Sequence, residues 1–89
     1  MERAAFEAGL ALDGFQETVE RALAPAEATP EHSHPFDARL LILSGRLVLA
    51  LGEARHSYGP GEVFDVPRDR PHAEIAGPEG ASYLAGRRR

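Results

Sequence analysis

Beyond Gly14 the chain is cut at short intervals by residues that turn a backbone, and this punctuation limits the available folds more than any other feature. Breaks fall at Pro25, at Pro35, at Ser44 with Gly45, at Gly52 with Glu53, at Gly59-Pro60-Gly61, across residues 67–71 and across residues 77–80. The segments between them are short, bounded by turn formers and rich in apolar residues, which is the signature of an all-β fold. Strands are expected over residues 15–23, 29–34, 37–43, 46–51, 54–58, 62–66, 72–75 and 82–85.

Residues 2–12 read differently. They are good helix formers apart from Gly9, carry Phe6 and Leu10 four apart, and run into a stop at Asp13-Gly14. Three turns are marginal in isolation, so this helix is expected to rest its Phe6 and Leu10 side on the main body and to lid it. Two β segments, Leu40-Leu41-Ile42-Leu43 and Leu47-Val48-Leu49-Ala50-Leu51, are apolar on both faces. Strands of that kind are covered on both sides. One face fills an interior; the other must meet the helix or a second copy of the chain, so a homodimer is expected.

A chain of 89 residues is one domain with a small core, and with no cysteine it has neither disulfides nor thiolate ligands to reinforce it. A closed barrel, a metal ion or a dimer interface is then expected to help. The organisation expected is a helix and turn over residues 1–14, a barrel over 15–86 and a solvated tail over 87–89. The formal charge of −4 argues against nucleic acid as the main partner, since only Arg87, Arg88 and Arg89 cluster. No apolar run is long enough to cross a bilayer and no secretory leader is evident, so a cytoplasmic, non-membrane protein is expected. All ten basic residues are arginine, with no lysine and no asparagine, which suggests GC-rich bacterial coding.

Chemistry is concentrated in the histidines. His32 and His34 are two apart on an expected strand, so both imidazoles project to one face. His72 follows Pro71 at the head of another strand. Neutral imidazoles bind zinc, iron, nickel and copper, and manganese less tightly. A His-x-His pair before a strand is also compatible with a solvated edge, and spacing alone leaves both readings open.

The stretch from His32 to Gly45, His-Ser-His-Pro-Phe-Asp-Ala-Arg-Leu-Leu-Ile-Leu-Ser-Gly, resembles the first conserved motif of the cupin superfamily. Gly61, then Pro67, then His72 resemble the second, in the right order and separation. The resemblance covers residues 15–86 and implies a double-stranded β-helix, the jelly-roll cupin barrel, with one divalent metal ion (Fe, Ni, Mn or Zn) held inside by His32, His34 and His72. It departs from the family at Ala38, where a glutamate ligand is usual, and at Asp69 and Ala76 in the second motif.

Two carboxylates could compensate for Ala38. Strict alternation turns Asp37 and Arg39 away from the histidines, where they would form a surface pair, unless Pro35 shifts the register. Glu74, two residues past His72, shares its face and is the candidate catalytic residue, as a proton carrier or as an acceptor near the metal; an ordinary rim carboxylate is the alternative. His56 is expected at the surface, and Tyr58 and Tyr83 with their hydroxyls at the rim. No serine sits in a nucleophile elbow, and no phosphate-binding glycine loop occurs.

Three histidines leave coordination positions open, as a catalytic metal requires. The resemblance extends to cupin three-histidine iron sites of thiol and diketone dioxygenases. A stand-alone metal-binding cupin, acting as a metal-dependent oxygenase or isomerase on a small metabolite, is the first expectation. A non-catalytic small-ligand sensor and a metal-free dimeric scaffold are the alternatives.

Overall fold

Two glycine-rich stretches decide the architecture by bending strands where turns were expected. The computed structural model describes residues 1–89, as helix α1 (Arg3–Leu12) followed by strands β1 (Glu17–Leu23), β2 (Asp37–Leu51), β3 (Ala54–Tyr58), β4 (Val63–Val66) and β5 (Ala73–Arg88). The expected strands 37–43 and 46–51 are halves of the single strand β2, and 82–85 and all but the first residue of 72–75 lie along the single strand β5. Ser44 with Gly45, and residues 77–80, are not hairpins but corners, where the register of β2 against β5 shifts between Ile42 and Ser44 and again between Gly45 and Leu47.

Gly45 has φ +73°, and a side chain there would collide with the Gly80 carbonyl; Gly80 has φ +81° and lies against the Leu23 carbonyl. Only glycine allows the two long strands to cross this closely while turning the corner.

The strands pair antiparallel in the order β1-β5-β2-β3, with β4 also on β2. On one side of the corner β2 pairs with β4 through Leu40↔Phe64 and with β5 through Leu40↔Ala85, and β5 pairs with β1 through Val19↔Ala85. On the other side β2 pairs with β3 through Leu49↔His56 and with the start of β5 through Leu49↔Glu74. Inward residues of both halves form one core that includes Phe36, Leu40, Ile42, Leu47, Leu49, Phe64 and Val66.

The doubly apolar strands are explained in part by α1. Phe6 and Leu10 are buried with Phe15, Leu41 and Leu84 on the outside of the sheet, so the helix covers a barrel wall and does not lid an end. Gly86 opens the space, since a Cβ there would lie 2.5 Å from a Leu10 methyl.

Two expectations are corrected at the edges of the barrel. Residues 29–34 form no strand; they keep only the isolated bridge His32↔His72, with Ala28↔Ile75 just before it. Pro30 and Pro35 lack the N–H that a continuous ladder needs. The C-terminal arginines are not a solvated tail, because β5 runs through Arg88. Acidic partners hold them: Arg88 pairs with Asp37 at 3.1 Å and donates to the Asp13 carbonyl at 2.9 Å, and Arg89 pairs with Glu17 at 2.9 Å. No helix is long and apolar enough to cross a membrane.

Candidate metal site in the barrel

His32 and His72 are joined by two backbone hydrogen bonds, His32 N–H to the His72 carbonyl at 2.9 Å and the reverse at 2.8 Å. Residues paired in this way stand directly opposite each other, so their side chains leave the same face of the sheet. The ring centroids lie 4.3 Å apart. His34, two residues on, reaches the same face, with its ring 4.8 Å from His32 and 5.3 Å from His72, and it stacks on Phe36 at 4.8 Å. The structure thus brings together all three histidines singled out from the sequence.

Hydrogen bonding orients the rings. The Nδ1 atoms of His32 and His72 each lie 2.8 Å from a backbone carbonyl, of Pro30 and Arg70 respectively. A carbonyl only accepts, so Nδ1 carries a proton and donates, and in the neutral ring Nε2 then keeps a free lone pair. One ligand atom from each of the three imidazoles falls within 4.8 Å of the others. Three donors around one tetrahedral ion at about 2.0–2.1 Å stand about 3.4 Å apart, so the cluster, whose donors lie within 4.8 Å of one another, fits a metal after closing by up to about 1.4 Å. Burial first, and then His32, His72 and Arg87, hold the His34 imidazole below its ordinary 6.5, which favours the neutral form that a metal needs.

Glu74 turns inward beside the histidines. Its residue is 8% exposed, its backbone N–H donates to Thr29 Oγ1 at 3.0 Å, and its Oε1 lies 3.6 Å from His72 Nε2. Asp37 lies outside the site: its carboxylate accepts from the Arg68 backbone N–H at 3.0 Å and pairs with Arg88, which together hold it below the ordinary carboxylate value. The expected Asp37 to Arg39 pair does not form, because Arg39 bridges Asp65 at 2.9 Å and Asp13 instead. His56 is exposed on β3.

His34 and His72 border a cavity of about 50 Å³, and His32 and His34 border an adjoining, wider mouth of about 320 Å³. Arg21, His34, Glu74, Tyr83 and Arg87 line both spaces. Three of these were not anticipated from the sequence. Tyr83, expected to pack with its hydroxyl at the rim, is buried and lines both spaces, and burial followed by the Glu74 charge pushes its hydroxyl up to about 12. Alternation held the signal for the arginines: Arg21 shares its face with Val19 and Leu23, and Arg87 with Tyr83 and Ala85.

An antiparallel β-barrel with three imidazoles converging at an internal cavity defines the chain first as a jelly-roll barrel. The chain belongs to the cupin family, whose Cupin domain model matches residues 19–85. A cupin-2 domain-containing protein from Shewanella frigidimarina NCIMB 400 has the same fold, with a TM-score of 0.71 at 16% identity over 94% of this chain and 92% of its own. The polyketide cyclase RemF from Streptomyces resistomycificus is similar over 89% of this chain and 60% of its own, with a TM-score of 0.70 and 28% identity. The DMSP lyase DddQ from Ruegeria pomeroyi DSS-3 is similar over 81% of this chain and 37% of its own, with a TM-score of 0.75 and 23% identity. A RmlC-like cupin from S. frigidimarina NCIMB 400 is spanned to 62% of its length, so this chain is shorter than several proteins that share its fold. No curated protein matches the chain at a significant level.

Proposed function

We propose that this chain is a metal-binding cupin in which His32, His34 and His72 hold one divalent ion (iron, nickel, manganese or zinc), and that it acts on a small metabolite by oxygen-dependent oxidation or isomerisation. The observation that carries this reading is the tautomer set by the Pro30 and Arg70 carbonyls, which leaves the Nε2 lone pairs of His32 and His72 without protons inside the barrel. Next to one of them stands a largely buried carboxylate, 3.6 Å from His72 Nε2. A carboxylate facing an unprotonated nitrogen is repelled by it unless a proton or a metal cation lies between them. A divalent ion meets that requirement.

Bound there, the ion would supply Lewis acidity and positions open to ligand, because Ala38 contributes no fourth donor. Glu74 is the candidate acid or base, placed to hold or pass a proton at Oε1 within the cavity. Tyr83 faces it as a neutral hydroxyl, able to donate to a ligand oxygen. A homodimer is part of the same proposal. The apolar cluster beneath α1 ends at Leu43, whereas Val48 and Ile75, paired on the outer face of the other half, are only half-buried. A cytoplasmic location is proposed from the sequence alone.

The test is elemental analysis of protein purified without a histidine tag or chelator, comparing wild type with His34→Ala and His72→Ala. Near-stoichiometric metal in the wild type and its loss in both variants are the expected results. No metal above background after reconstitution with iron, nickel, manganese and zinc would refute the reading. In the loaded protein, Glu74→Gln should keep the metal and lose turnover.

A further inference from the structure

Two arginines line the cavity and its mouth, Arg21 exposed on β1 and Arg87 half-buried on β5. Arg21 projects from β1 on the face of Val19 and Leu23, yet it makes no ion pair and no side-chain hydrogen bond. Arg87 projects from β5 over the Phe36 ring at 4.9 Å, and its one ion-pair contact, to Glu17, is long at 3.9 Å. Arg89 already engages that glutamate at 2.9 Å. Glu74 is the only acidic residue lining the cavity and pairs with neither arginine.

In register, Arg21 stands opposite Tyr83 and Arg87 opposite Glu17, four residues apart on the ladder, or about 13 Å along the strands. Both side chains nevertheless line the same cavity and mouth, so they approach from its two sides. Two guanidiniums against one carboxylate leave an excess of positive charge at the opening, and a divalent ion on the histidines would add to it. Such a field concentrates anions. The remaining lining is apolar and includes Val19, Phe36, Ala38 and Val66, which suits a hydrocarbon body and not a fully polar ion.

We propose that this cavity takes a small organic carboxylate, with its carboxylate held by Arg21 and Arg87 and its short apolar body against Phe36, Ala38 and Val66. The proposal rests on the metal-site reading for what happens to the ligand next, but the arginine contacts do not need the metal. Charge-assisted, fork-like hydrogen bonds account for the selectivity, since an uncharged isostere accepts them more weakly.

The probe is propionate, with propionamide as its neutral counterpart and inorganic phosphate as the competing anion. Each is titrated into the metal-free protein while the His34 and Tyr83 ring resonances are followed. Propionate should bind about tenfold or more tightly than propionamide, and Arg21→Ala and Arg87→Gln should each weaken it about tenfold. Arg87→Lys should restore part of the loss. Zinc stoichiometry, measured on the same variants, should be unchanged, which shows that the barrel and its histidines are intact. Equal binding of propionamide, tighter binding of phosphate, or propionate affinity unaffected by Arg21→Ala would overturn the proposal. Stoichiometric zinc with no propionate binding would remove this inference and leave the metal reading. Arginine-dependent propionate binding without zinc binding would support this inference and remove the metal reading.

Discussion

Adding zinc to the metal-free protein should raise its melting temperature, by an amount that follows from the size of the chain. At free zinc a hundredfold above the dissociation constant, a ligand bound only by the folded state adds about 2.7 kcal/mol. Unfolding a chain of 89 residues carries an entropy of about 190 cal/mol/K, so the rise is about 14 °C. This is an upper value, because the His32-Ser33-His34 pair persists in the unfolded chain and retains some affinity there. His34→Ala is the cleanest perturbation, since the His34 ring makes no hydrogen bond and loses mainly its stacking on Phe36. With two donors left, the rise at the same zinc concentration should fall below about 3 °C. His72→Ala should abolish the rise and also lower the metal-free melting temperature. It removes the part-buried hydrogen bond from the ring to the Arg70 carbonyl at 2.8 Å, a loss of about 0.5–1.5 kcal/mol. His56→Ala, on an exposed ring, should retain the full rise. Scanning calorimetry in zinc buffers at pH 7.5 measures all four proteins, and at pH 5.5 protons should compete the effect away. A rise that survives His34→Ala, or that His56→Ala removes equally, would refute the three-imidazole site.

Three other predictions test the surroundings of the site. In a Tyr58→Phe background, tyrosinate absorbance should report Tyr83 ionising near 12; Glu74→Gln should lower that midpoint and Arg21→Ala should raise it. Because the unfolded phenol ionises at 10.0, the folded state binds more protons between pH 10 and 12, so stability should fall with rising pH across that window, seen as a falling urea midpoint. Gly45→Ala, forced to a left-handed conformation and against the Gly80 carbonyl, should cost at least about 2 kcal/mol in urea unfolding, whereas Gly52→Ala, at φ +61° with nothing within 4 Å, should cost only about 1–2 kcal/mol. Asp37→Asn should destabilise the protein at pH 7, and the gap to wild type should close as pH falls below 3.8, because the native carboxylate is held ionised by the Arg68 N–H and Arg88 and its contribution disappears on protonation.

The all-β punctuation, the helix with Phe6 and Leu10 inward, and the cupin motifs were legible because each depends on neighbours close in sequence. The two long strands were not. Glycine beside serine between two apolar runs is as good a signal for a hairpin as for a corner, and only the crossing of Gly45 with Gly80, 35 residues apart, decides between them. The same limit hid the fate of the C-terminal arginines. Three successive cations at a chain end suggest a solvated tail until β5 pairs with β1 and β2 and brings Glu17 and Asp37 beside them.

The candidate site divides along the same line. Its donors could be read from short spacings, two residues between His32 and His34 and two between His72 and Glu74, because alternation along an extended backbone fixes a common face. Its shape could not, since that depends on which walls of the barrel oppose each other. Ala38 on β2 places a methyl group at the cavity, where the family usually has a carboxylate, yet the cavity still contains one inward carboxylate, supplied by Glu74 from β5. Within a closed barrel, side chains from any wall reach the same small volume, so acidic chemistry can be supplied by a different strand while the histidines stay in place. The same reasoning places Arg21 and Arg87 at the candidate site: neither lies beside a histidine in sequence, and strand pairing brings both to the cavity that the histidines line.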